Sequence, residues 1–241
     1  GGRRVDLGVP GFDGRGVVVA LLDTGVDVTH PYIRDRLLEG ADMLDPERRA
    51  VARAHPDEPT RLERHGTQLA GLIAGSGGPG GIRGVAPAAS ILPVRVAGWQ
   101  PSAEGGYAIY GRTDQLLAGI ELAVDPDGDG DVLDAARVAV VGVTEPFASF
   151  PDGPVARAVR GAAVLDTLVV APAGNEGPAG PGYGSVGGPG GAPAALTVGA
   201  ADVRRNTATV RVVVRAGLGV LLARELPLAG AARPREPLTL A

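Results

Sequence analysis

Short, continuous apolar runs recur along this chain, each closed by glycine or a polar turn. The clearest is Val17 to Leu22 (VVVALL), set between Gly16 and the turn Asp23-Thr24-Gly25. A run that is this short and does not alternate suits a strand buried on both faces of a parallel sheet. The same pattern predicts strands over Ala89 to Val96, Val138 to Val143, Thr167 to Ala171 and Ala195 to Ala200. Between them the period changes. Thr67 to Ala74 reads as a helix, Arg112 to Val124 places Leu116, Leu117, Ile120 and Ala123 on one helical face, and Pro154 to Ala163 reads as a further helix. Strands alternating with helices predict an α/β fold in three layers, with a mostly parallel central sheet and helices on both faces. In such sheets ligands bind beyond the carboxyl ends of the strands. That edge would carry Asp23, which follows the first strand, and Asn175, which follows a later one; a helix with His65 at its start could reach it too.

Composition narrows the classes. At 241 residues, 44% hydrophobic and 21% charged, the chain can bury one sizeable core, so disorder is excluded. The formal net charge of −4, with arginines scattered among carboxylates, offers no basic face, and nucleic acid is not an expected partner. No cysteine is present, which removes disulfides and thiol chemistry. No apolar run reaches the roughly 18 residues that a membrane span needs, and the first residues lack the apolar core of a signal peptide. The many glycines (39) and prolines (21) predict short elements joined by tight turns.

Four blocks, VVVALLDTGVDVTHP, RHGTQLAGLIAG, GVAPAASILPVRV and VVAPAGNEG, occur in that order, and together they resemble the subtilase family of serine proteases. The resemblance covers roughly Gly14 to Asp202. It implies a subtilisin-like fold and an endopeptidase that cuts polypeptide substrates through an acyl-enzyme, secreted and associated with a pro-segment. It also implies a catalytic aspartate at Asp23, a histidine at His65 and an oxyanion-hole amide at Asn175. Each role has a chemical reason. A histidine titrates near working pH and can take a proton from a nucleophile. A buried carboxylate on its other nitrogen fixes the tautomer, and a side-chain amide stabilises the anion of a tetrahedral intermediate. Taken singly, each residue has a plainer role: Asp-Thr-Gly as a turn, His65 as a helix cap, Asn175 as a residue tolerant of left-handed backbone. His30 and His55 have no such company and read as structural.

The family's nucleophile stands in a Gly-Thr-Ser stretch that opens a helix. None of Ser76, Ser90, Ser102, Ser149 and Ser185 has that setting. The serine is therefore expected downstream of Ala241, with the catalytic fold of residues 1–202 incomplete at its C-terminus. The alternative is a non-catalytic, peptide-binding pseudoprotease of the same fold. Residues 203–241 read as a β-rich tail, with two strands around Gly217 and the start of an inserted domain in prospect.

Family members take the substrate backbone as an added strand. The matching segments here are Gly111, Arg112 and Thr113, and Gly142, Val143 and Thr144; the second departs from the family's Ser-Leu-Gly. The plainer reading of Gly142 is close packing. In Asp125-Pro-Asp-Gly-Asp-Gly-Asp the alternate carboxylates resemble the start of an EF-hand loop. Asp125, Asp127, Asp129 and Asp134 are candidate ligands for a structural calcium, although Ala136 stands where the bidentate glutamate belongs. The competing reading is a solvated acidic turn. No organic cofactor is expected. The glycine-rich Gly75 to Gly84 lacks the Lys and Ser/Thr of a phosphate loop, which leaves a nucleotide-binding α/β domain as a distant reading.

Overall fold

The computed structural model describes residues 11–77, 81, 83–146, 150–177, 185–200, 209–216 and 219–227. The chain divides into two compact units, Gly1–Gly199 and Ala200–Ala241.

In the first unit, β1 (Val18–Asp23) lies inside a sheet completed by β2 (Ala41–Asp42), β3 (Ser90–Arg95), β6 (Val138–Val141), β7 (Leu168–Pro172) and β8 (Leu196–Val198). The strand order is β2-β3-β1-β6-β7-β8, and every neighbouring pair is parallel. Successive side chains of a strand point to opposite faces. Val19 and Leu21 accordingly meet Ala70 and Ala74 of α1 (His65–Ala74) on one side. On the other, Ala20 and Leu22 join Leu116 and Ile120 of α2 (Thr113–Val124) and Val155 and Val159 of α3 (Pro154–Val164). Both faces of β1 are thus covered, which is why its sequence does not alternate. The result is the three-layer α/β fold that the pattern predicts.

The boundaries differ in instructive ways. Helix α1 begins at His65, two residues before the expected start. Its N-cap residue Arg64 makes no side-chain cap; instead the Gly66 N–H donates to the Thr24 hydroxyl 3.3 Å away, a partner from the turn after β1 that the sequence around the helix cannot reveal. Strand β6 stops at Val141, before the expected Val143. The short β2 was not expected, nor was a hairpin, β4 (Gly98–Pro101) with β5 (Tyr107–Tyr110), whose turn places Gly105 and Gly106 at φ of 94° and 68°. Only glycine adopts such angles without strain.

In the second unit, β9 (Thr209–Ala216) and β10 (Gly219–Pro227) form an antiparallel ribbon with an irregular register between Val220 and Leu222.

Candidate functional site

Because β1, β6 and β7 run parallel, their carboxyl ends share one edge of the sheet. Asp23 ends β1, Gly142 follows β6, and Asn175 lies three residues past the end of β7. Asp23 is only 1% exposed. Its Oδ2 is 2.7 Å from Nδ1 of His65, the first residue of α1. Its Oδ1 accepts from the Thr24 backbone N–H at 2.6 Å and from the Thr24 hydroxyl at 3.1 Å. A carboxylate this deep needs such donors to offset its lost hydration.

This geometry fixes the histidine. With Nδ1 donating to a carboxylate, the neutral ring carries its free lone pair on Nε2. The side chain is half exposed, and no described residue bonds Nε2. The hydrogen bond to Asp23 raises the imidazole above its ordinary value of 6.5; burial opposes this and the charge of Asp23 adds to it. The pair can therefore take a proton from a hydroxyl or a water that reaches Nε2.

Two glycines let the parts approach. A Cβ on Gly66 would lie 2.2 Å from the Gly25 carbonyl oxygen, and a Cβ on Gly142 would lie 1.8 Å from Asp23 Oδ2. Close packing, the plainer reading of Gly142, is therefore visible. Its N–H is also committed to the Leu22 carbonyl at 2.9 Å.

The other expected residues are placed as follows. Asn175 is exposed, follows Gly174 at φ 93°, and donates its backbone N–H to Glu176 Oε2 at 3.0 Å. Thr113 of the first expected substrate segment donates its hydroxyl to Oε1 of Glu145, the residue that follows the second segment, at 2.5 Å. Glu145 itself exchanges backbone hydrogen bonds with Gly188. Val143 and Thr144 are half-buried, whereas Arg112 is exposed and pairs with Asp114. Gly111 packs on the segment that follows β3, where a Cβ would meet the Val96 carbonyl oxygen at 2.1 Å. Thr24 stands inside the Asp-Thr-Gly turn, yet its role as a donor to Asp23 shows only in the structure, and Glu145 belongs to no local pattern that would reveal it. Ser76, Ser90, Ser102 and Ser185 are among the described residues and none bonds His65, while Ser149 lies outside them.

In the acidic loop, carboxylate oxygens of Asp125, Asp127 and Asp134 lie within 4.8 Å of one another, and Asp129 is not part of that group. Asp125 already accepts the N–H groups of Gly128, Asp129 and Gly130. The Asp134 carboxyl is pushed up by desolvation first and then by the neighbouring charge of Asp127. A cation would relieve that repulsion.

A profile of the subtilase family matches residues 14–212. The chain is 31% identical over 172 residues to the major intracellular serine protease of Bacillus subtilis, covering 71% of this chain and 47% of that protein. It is 32% identical over 198 residues to the minor extracellular protease Vpr of the same organism, covering 81% of this chain and 22% of the other. Among solved structures, a protease from Pseudoalteromonas arctica superposes with a TM-score of 0.56 at 26% identity, covering 77% of this chain and 56% of that one. The chain thus spans about half, or less, of the length of these relatives.

Proposed function

Since this chain belongs to the subtilase family, we propose that it contributes the acid, base and oxyanion-hole residues of a serine endopeptidase whose nucleophilic serine lies in sequence following Ala241. The observation that carries this reading is the buried Asp23 bonded to a half-exposed His65 whose Nε2 has no partner among the described residues. In the proposed reaction the serine Oγ attacks the scissile carbonyl carbon and its proton passes to Nε2 of His65. The Asn175 amide donates to the oxygen that becomes anionic. Collapse expels the amine, which takes the proton from His65, and a water then repeats the sequence to release the acyl group. The substrate backbone would lie along Gly111 to Thr113 and Gly142 to Thr144.

Fluorophosphonate labelling, read by intact and peptide mass, tests this on the present chain and on the longer product of the same reading frame. The expected result is a label only on the longer product, on a serine beyond Ala241. A folded long form that takes no label would point to a peptide-binding pseudoprotease, and a label on one of the five serines here would overturn the site assignment.

Asp125, Asp127 and Asp134 are proposed to hold one calcium ion. Three convergent carboxylates fit a hard cation, and backbone or water oxygens would have to complete its six to eight ligands. Added calcium is expected to raise the melting temperature, and the rise should vanish in Asp127→Asn. A melting temperature indifferent to both calcium and chelator would leave the loop a solvated turn.

The relatives include an intracellular and an extracellular enzyme. The proposal that this protein is secreted thus has support from the second alone.

A further inference from the structure

Below the Asp23–His65 pair lies a cluster of buried charge that the proposed chemistry does not use. Glu63 and Arg95 are 2% and 3% exposed, and Asp42 is fully buried. Arg95 ends β3 and stands opposite Asp23 in the register; the N–H groups of Val96 and Ala97 that follow it both donate to the Asp23 carbonyl. The Arg95 guanidinium spans two carboxylates. Nε and Nη2 donate to Glu63 at 3.2 and 2.7 Å, and Nη1 donates to both oxygens of Asp42 at 3.2 and 3.1 Å. Glu63 also accepts the backbone N–H groups of Arg53 and Trp99, each at 2.8 Å, so its acceptor sites are filled. A Cβ on Gly98 would fall 1.9 Å from Arg95 Nη2, so the residue after Ala97 has to leave room for the fork.

Burying such charges is a poor route to stability, because desolvation consumes most of the Coulombic gain. What a bidentate fork does supply is direction: a planar guanidinium accepts its carboxylate in one orientation. Glu63 is two residues ahead of His65, and only Arg64, which makes no side-chain cap, lies between them. The start of α1 therefore takes its position from Glu63 on one side and from Thr24 on the other. Since Arg95 is the register partner of Asp23, one ion pair connects the backbone of both members of the site.

We propose that Glu63 and Arg95 are positioning residues that set the distance between His65 and Asp23. The inference rests on His65 acting as the general base. Glu63→Gln keeps the side chain's size but replaces one acceptor oxygen by a donor that faces Arg95 together with the backbone N–H of either Trp99 or Arg53. In the full-length protein it is expected to lower kcat by about 10- to 100-fold, the scale of a misplacement on the order of 1 Å, with KM nearly unchanged. It should also return the His65 titration, followed by NMR, toward 6.5 and weaken the low-field Nδ1 proton signal. Arg53→Gln removes a different ion pair of Asp42 and no contact of Glu63's side chain with Arg95; it should leave kcat and the titration unchanged. Equal effects in the two variants, or an unmoved His65 titration in folded Glu63→Gln, would overturn the proposal. If Glu63→Gln does not fold, Arg95→Lys, which keeps the charge and loses the fork, is measured in the same way and decides by the same criteria. Should the full-length protein prove inactive, the proposed function falls, and the titration still decides whether the clamp positions His65.

Discussion

Asp23→Asn is expected to reduce kcat/KM of the full-length protein about 10⁴-fold with little change in folding, the order of loss that triad proteases, subtilisin among them, show on losing this aspartate. Asparagine matches aspartate in shape, so its oxygen can keep the two hydrogen bonds from Thr24. Its NH₂ then faces His65 Nδ1, which has to accept. The ring proton moves to Nε2, and the nitrogen that should receive the nucleophile's proton already carries one. The pH dependence should follow. In the wild-type protein kcat/KM rises as His65 loses its proton, at a pH above 6.5 because Asp23 favours the imidazolium; in the variant that limb moves down. The linked stability has the opposite course. The contribution of the charged pair is complete below 6.5, the value in the unfolded chain, and is lost as pH rises through the higher folded value. Initial rates on a peptide anilide, with a thermal melt of each protein, check both. A loss of less than tenfold in a folded variant would remove Asp23 from the mechanism.

What the sequence made legible was the part written in local pattern. The unbroken run of β1 announced a strand covered on both faces, and Leu116, Ile120 and Ala123 announced the buried face of α2. Asp23 and His65 stood out because strand end and helix start are where a parallel sheet gathers its chemistry. The hairpin β4–β5 also has a local signal, two glycines between Trp99 and the aromatic stretch Tyr107 to Tyr110. Other features had no local trace. The start of α1 depends on Thr24, 42 residues away in sequence from the Gly66 N–H it accepts. Arg95 closes a run that reads as a buried strand, where a lone charge has no evident partner, and nothing near Asp42 or Glu63 in sequence marks them as its counter-charges; the three share the core because each neutralises another. In the acidic loop the spacing suggested four converging carboxylates, whereas the backbone turns so that Asp134 joins Asp125 and Asp127 without Asp129.

Gly142→Ala adds one methyl group and is expected to cost between about 10² and 10⁴ in kcat/KM. Gly142 has no positive φ, so its backbone tolerates alanine and the effect is one of space alone. The new Cβ would stand 1.8 Å from Asp23 Oδ2 and 2.8 Å from Leu69 Cδ1. Leu69 can turn aside, but the carboxylate is held by His65 and twice by Thr24. One route expels the carboxylate, breaks the bond to His65 and approaches the full loss seen without Asp23. The other pushes the end of β6 away, which stretches the Gly142 N–H bond to Leu22 and costs about 1–3 kcal/mol, as overpacking does in a well-filled core. Melting temperature separates them, since the first route spares the sheet and the second does not. Gly161→Ala, on the exposed side of α3 with nothing within 4 Å of the new methyl, serves as the control and should stabilise slightly by helix propensity. If Gly142→Ala retained wild-type activity at a wild-type melting temperature, the end of β6 could not lie as close to Asp23 as this arrangement of the site requires.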